Sequence, residues 1–416
     1  MLNMARRILL LICGTVALSS IGPSYADQRR NGHATLMGQL DAASLVADDR
    51  EARVEAFDVS PDGRILAVLY EALVPYGKKP AAPSAPELRV AIWDVRSHTI
   101  VGQISIAPIR ISFDVSSLRA YAYAARELVF TTDQSHLIVC DLGTIWKLDL
   151  GSAAEPARVD PPDPTLGKPV AIQALSKATV AVTYETRQEN RYYTALFDAS
   201  SGASLSGFTS STIPLSFSPN GKLAVALAPG EWNAGGVAGL QVIDVGTGAK
   251  LRSVSVGFGF KRRHQDEGGG ALPRFLDNAR IVAAPDNMTD HTGNHSGHSL
   301  EIIDVFQNRI VGELAPHHFV PSGELAISAD RSRFVASSTY APAWELRSEW
   351  FPIHPKYKIF VFTRDKPNPE TVIEGLCAGL REGYSEAVRL SSDGSVIGIA
   401  DASVPNGGVK IFQISK

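Results

Sequence analysis

One strand-like phrase returns along the chain and dictates its architecture. It reads Val90-Ala91-Ile92-Trp93-Asp94-Val95, then Ile145-Trp146-Lys147-Leu148-Asp149. It recurs as Ala195-Leu196-Phe197-Asp198, Leu240-Gln241-Val242-Ile243-Asp244-Val245 and Leu300-Glu301-Ile302-Ile303-Asp304-Val305. Two worn copies follow, Lys358-Ile359-Phe360-Val361-Phe362 and Val409-Lys410-Ile411-Phe412-Gln413. A spacing of roughly 45–60 residues is that of the four-stranded blade of a β-propeller. Seven copies predict an all-β, seven-bladed β-propeller. Eight blades is the alternative, because residues 109–130 fit the repeat less cleanly. The ring by itself leaves function open, since propellers bind, scaffold and catalyse.

Each phrase is the third strand of a repeat with a fixed internal order. Ala56-Phe57-Asp58-Val59-Ser60 reads as an inner strand, Pro61-Asp62-Gly63-Arg64 as a turn, and Ile65-Leu66-Ala67-Val68-Leu69 as an apolar second strand. Proline presets φ at the first central turn position and glycine supplies the positive φ that closes the turn. The device returns at Ser218-Pro219-Asn220-Gly221 and Ser392-Asp393-Gly394, with a worn copy at Ser328-Ala329-Asp330-Arg331. The Asp ending each phrase is placed to accept N–H bonds from the turn that follows. Outer strands then read Thr99-Ile100-Val101-Gly102-Gln103-Ile104 and Arg309-Ile310-Val311-Gly312-Glu313-Leu314. The Ser-Pro-Asp-Gly turns resemble those of TolB-type bacterial propellers, and the third strands with Trp93-Asp94 resemble WD-repeat and YVTN-type propellers. That resemblance covers nearly the whole chain after its leader, and it speaks for architecture rather than activity.

The two ends of the chain complete one blade between them. Thr35-Leu36-Met37-Gly38-Gln39-Leu40 matches the outer-strand phrase Thr99–Ile104, yet no inner strands precede it. The third strand 409–414 has no outer strand after it. Residues 35–40 are therefore predicted to be the outermost strand of the last blade, closing the ring and removing open edges.

Residues 1–26 read as a signal peptide: Arg6-Arg7, an apolar run from Ile8 to Leu18, and the small-x-small site Ser24-Tyr25-Ala26. Residues 27–416 then form a single propeller domain, exported to the periplasm or secreted, with no later transmembrane segment. Without Arg6 and Arg7 the formal net charge moves from −3 to −5. A mildly acidic chain lacks the basic stripe of a nucleic-acid binder. Cys140 and Cys377 lie in distant repeats and read as unpaired, Cys140 within the apolar run Leu137–Cys140.

Long connections between second and third strands gather on one face, the usual place for a binding surface. Three segments there carry chemistry. The loop 286–298 holds His291, His295 and His298 with Asp286 and Asp290, residue types that ligate zinc or copper, although the spacing also suits a solvated loop. The run Lys261-Arg262-Arg263-His264-Gln265-Asp266-Glu267 between glycines reads as a flap for an anionic ligand or as an exposed loop. Trp344, Trp350, Phe351, His354 and Tyr357 read as an apolar platform for a partner, or as side chains folded back on the blade. Trp93 and Trp146 read as packing between blades.

No Gly-x-Ser-x-Gly elbow, His-Glu-x-x-His or Cys-x-x-Cys-His motif occurs. The expectation is a monomeric binding scaffold that takes a protein or small ligand on its long-loop face. It carries no cofactor beyond a divalent metal at the histidine loop. The alternative is a propeller enzyme, a lactonase-like hydrolase or a redox subunit resembling those of quinoprotein dehydrogenases.

Overall fold

Alternating apolar residues in short segments separated by turn residues leave a chain few options other than antiparallel strands. The structure is a computed structural model. It describes residues 34–46, 50–73, 87–108, 126–141, 143–152, 154–188, 191–228, 239–254, 273–283, 300–314, 325–340, 356–376, 388–401, 403–404 and 408–415. Seven antiparallel four-stranded sheets form a seven-bladed β-propeller.

The chain enters through β1 (Ala34–Asp41). Blade one is β2 (Glu51–Val59), β3 (Ile65–Leu73), β4 (Glu87–Asp94) and β5 (Thr99–Pro108). Blade two is β6 (Glu127–Phe130), β7 (His136–Asp141), β8 (Thr144–Asp149) and β9 (Ala157–Val159). Blade three is β10 (Pro169–Ser176), β11 (Thr179–Glu185), β12 (Tyr192–Asp198) and β13 (Ser204–Ser210). Blade four is β14 (Pro214–Phe217), β15 (Leu223–Leu227), β16 (Leu240–Asp244) and β17 (Lys250–Val254). Blade five is β18 (Arg274–Phe275), β19 (Arg280–Ala283), β20 (Leu300–Asp304) and β21 (Arg309–Leu314). Blade six is β22 (Leu325–Ile327), β23 (Arg333–Tyr340), β24 (Lys356–Thr363) and β25 (Thr371–Leu376). Blade seven is β26 (Val388–Leu390), β27 (Val396–Ala400), β28 (Gly408–Ile414) and, outermost, β1. The ring closes as expected: Thr35 pairs with Gln413 and Leu40 with Val409.

The count of seven settles the alternative of eight. Residues 109–125, which made the count ambiguous, lie outside the described residues.

Burial sits between blades rather than within them. Leu66, Trp93, Val396 and Ile411 pack blade one against blade seven, and each other junction has its own apolar cluster. The last apolar residue before the strand-ending Asp always points to the preceding blade, as Trp93, Leu148, Phe197, Ile243 and Ile303 do. Each such side chain fully buried is worth about 1.5–3 kcal/mol. Trp146 also packs at a junction, beside the cluster of blades one and two. Cys140 is buried and unpaired, and burial raises its thiol pKa well above the usual value.

Five of the seven hairpins between first and second strands, those of blades one, two, four, six and seven, share one lock. Ser60 Oγ donates to Asp62 Oδ1 (2.7 Å) and accepts from Ile65 N (2.9 Å), while Gly63 takes φ +70°. A Cβ on Gly63 would also strike Val396 of blade seven at 2.5 Å, so both conformation and packing require glycine. Ser218–Asn220 and Ser391–Asp393 repeat the lock. Thr131–Asp133 uses threonine in blade two, and Arg331 takes φ +60° in the worn copy. At the third-to-fourth turns, Asp94 Oδ1 accepts from Arg96 N (2.9 Å) and Ser97 N (2.8 Å), and Asp198, Asp244 and Asp304 do likewise.

Candidate functional site

An antiparallel meander places its first-to-second and third-to-fourth turns at one end and all other connections at the opposite end. The segments outside the described residues between Asp41 and Lys416 follow that division: all but Ala153 join second to third or fourth to first strands. Lys261, Arg262, Arg263, His291, His295, His298, Trp344, Trp350, Phe351 and His354 belong to those segments, so the flap, the histidine loop and most of the aromatic group lie outside the described residues. Tyr357 is described, and it is fully buried at the junction of blades six and seven rather than exposed on a platform. As the second residue of β24 it faces inward with Ile359 and Val361.

Tyr357 belongs to a polar group whose other members lie far from it in the chain and meet it only in the fold. Its hydroxyl donates to Asp401 Oδ2 (2.6 Å), and Lys410 Nζ lies 3.0 Å from the same oxygen. Ser403 N donates to Asp401 Oδ1 (2.7 Å), and Lys410 Nζ donates to Ser403 Oγ (2.6 Å). Asp401 is fully buried, and its carboxylate is met by a phenol, an ammonium and a backbone amide. The bond between Lys410 and Ser403 runs from the ammonium to the hydroxyl, so it orients that oxygen rather than drawing off its proton. Ser403 is exposed, which leaves a positioned hydroxyl on the loop face beside a partly buried ammonium. The signal for Asp401 in the sequence was an acid placed directly after the apolar run Val396–Ala400.

A second group joins blades one and two at the same face. Arg126 Nη1 lies 3.3 Å from Glu55 and also meets Glu71, while its Nε lies 3.2 Å from Asp141. Arg53 meets Glu55 at 2.7 Å and also Glu71. Glu55 is the extra residue of a β-bulge between Val54 and Ala56, the device that re-aims a side chain out of the regular pleat. Burial works against the Arg126 charge, but Glu55, Glu71 and Asp141 outweigh it and hold the guanidinium above its ordinary value.

The inner strands carry a third polar set. Asp58 Oδ2 accepts from Phe130 N of the next blade (2.9 Å). Burial pushes its pKa up to about 6, against the pull of Arg389 and of the Phe130 and Val59 amides. Glu127 accepts from Ile172 N (3.0 Å) and Ser216 from Phe275 N (3.1 Å), so inner strands are stitched blade to blade.

A cleft of about 460 Å³ opens between blades two and three, lined by Gly143, Thr144, Arg158, Asp160, Pro164 and Tyr184 among others. Its volume is that of a small-molecule site. The Tyr184 hydroxyl is buried without a hydrogen-bond partner, and burial, then Cys140 and Asp160, raise its pKa. Among the described residues no group of three or more His, Cys, Asp or Glu side chains is placed to hold a metal ion. No helix among them is long and apolar enough to cross a membrane.

No family model matches the chain, and no curated protein matches it. Among solved structures it is similar to hydrazine synthase of Kuenenia stuttgartiensis, with 15% identity and a TM-score of 0.49, over 87% of this chain and 96% of that one.

Proposed function

We propose that this protein is an exported binding propeller that receives a protein or small ligand on its long-loop face. The observation that carries the reading is the contrast between its two faces. One face is dominated by a single locked turn that recurs in five of the seven blades, with Asp277 held by Arg280 and Arg364 in blade five instead. The opposite face collects every other non-repeated polar group described above except the inner-strand stitches, together with the cleft beside Tyr184. Specific recognition needs a few individually placed polar groups on a rigid frame. The aromatic residues Trp344, Trp350 and Phe351, and the basic run Lys261–Arg263, belong by sequence to connections of that same face.

Hydrogen-exchange footprinting of the purified full chain, with and without small-molecule and protein fractions of the source compartment, tests this. Protection at loop-face strand ends such as 87–90, 143–145 and 356–360, lost in a Trp344→Ser/Trp350→Ser/Phe351→Ser variant, is the expected result. Protection confined to the turn-face hairpins at 60–65, 218–223 and 391–396 would overturn it.

A further inference from the structure

Among the described residues one buried carboxylate meets no cation. In every third strand, the residue three before the strand-ending position faces the preceding blade. That position is apolar in blades one, two, three and six, for instance Ala91, Ala195 and Phe360. Elsewhere where it is polar, a neighbour answers it: Gln241 Nε2 donates to Thr212 Oγ1 (2.6 Å) in the connection from blade three, and Lys410 meets Asp401 and Ser403 of its own blade. In blade five it is Glu301.

Glu301 is 6% exposed, and its Oε2 is buried with no hydrogen-bond partner. It shares a face of β20 with Ile303, whose cluster includes Leu240, Val242 and Val254 of blade four, all apolar. The cross-strand neighbour of Glu301 is Glu313 on β21, a second carboxylate and an exposed one. Burial first, then Glu313, pushes the Glu301 pKa up to about 7. Among the described residues no cation faces the pair. An unpaired buried carboxylate is among the costliest groups a fold can hold, and a second acid opposite it adds repulsion.

We propose that Glu301 and Glu313 form a site for a hard divalent cation, with the ligand demands of calcium, at the loop-face end of blade five. Directly opposed residues of an antiparallel pair hold their Cβ atoms about 4.5–5.5 Å apart, within chelating reach of one ion. The donors are carboxylate oxygens alone, which suit calcium or magnesium rather than zinc or copper. Glu313 keeps the site open to solvent, so water completes the coordination. With two protein ligands the affinity falls in the weak range, about 10⁻⁴–10⁻³ M.

The test uses the full chain stripped with EDTA and titrated with CaCl2 up to about 10 mM, read as melting temperature. At pH 8 the wild type gains about 2 °C, because an ion that binds only the folded state stabilises it. Glu301→Gln and Glu313→Gln both lose the response, and Glu313→Gln, at an exposed position, keeps the test valid if the buried substitution disturbs folding. A flat wild-type titration overturns the proposal, as does an equal gain in Glu301→Gln. A zinc response that survives in both variants and disappears in His291→Ala/His295→Ala/His298→Ala, with no calcium response, also overturns it and moves the metal to the histidine loop.

Discussion

The two faces of the disc are held by different chemistry. On the turn face the same small motif recurs in five of the seven blades: a hydroxyl, an acid or amide two residues on, and a positive φ. On the loop face no motif repeats. Arg126 with its three carboxylates serves one junction, Tyr357–Asp401–Lys410 another, and Gln241–Thr212 a third. A repeated device holds the ring, and single-use clusters distinguish one blade from the next. Free energy should follow that division.

The largest effect is expected at Arg126. Arg126→Ala removes the fully buried one of the two guanidiniums that meet Glu55 and Glu71, leaving the half-exposed Arg53, and urea unfolding should show a loss of about 3–5 kcal/mol. A loss below 1 kcal/mol would place the loop-face clusters on a par with the turns and erase the contrast. Asp401→Ala, which removes the acceptor shared by the Tyr357 hydroxyl and Lys410, should cost about 3 kcal/mol, and Tyr357→Phe about half of that.

Asp58 sharpens the comparison through pH. Its folded pKa, about 6, lies above the ordinary 3.8, so its ionisation opposes folding. The stability it confers is complete below about pH 4 and is lost as pH rises through 6. Asp58→Asn keeps an acceptor for Phe130 N but does not ionise. Its stability relative to wild type should therefore climb by about 1–2 kcal/mol between pH 4 and pH 7, after allowing for the solvent that reaches the carboxylate.

Smaller and more uniform effects belong to the turn face. Ser60→Ala, Ser218→Ala and Ser391→Ala should each cost about 1 kcal/mol and agree within about 0.5 kcal/mol, as copies of one lock would. Wide scatter among the three would break the idea of interchangeable turns. Smallest of all is Arg158→Ala. It removes an exposed pair with Asp160 on the outer edge of blade two and should change stability by less than about 0.5 kcal/mol.

Legibility from sequence follows the same division. The turn face could be read because its locks are local: Ser60, Asp62 and Gly63 sit within four positions, and chirality demands glycine or a tolerated substitute at the fourth. Blade two escaped the pattern at that point because Thr131-Thr132-Asp133-Gln134 contains neither proline nor glycine, and Gln134 takes φ +62° unaided. Ring closure was legible because Thr35–Leu40 copies an outer strand whose partner strands are missing. The loop face was opaque for a physical reason. Glu55, Glu71, Arg126 and Asp141 come from two repeats and meet only once those repeats stand side by side. Tyr357 stands near Trp350 and Phe351 in the chain, but its alternation with Ile359 and Val361 places it inside the blade.

The pairing of β1 with β28 also sets a clock. A strand made near the start must wait roughly 370 residues for its partner, the longest contact separation in the ring. Six blades can form from neighbouring segments as they appear, but the seventh cannot be completed until β28 has been made. Until then β1 has no partner strand, and a chain stalled before β28 presents the bare edge of β27. Quality control that recognises open strand edges therefore has one late and well-defined moment at which to tell finished copies from unfinished ones.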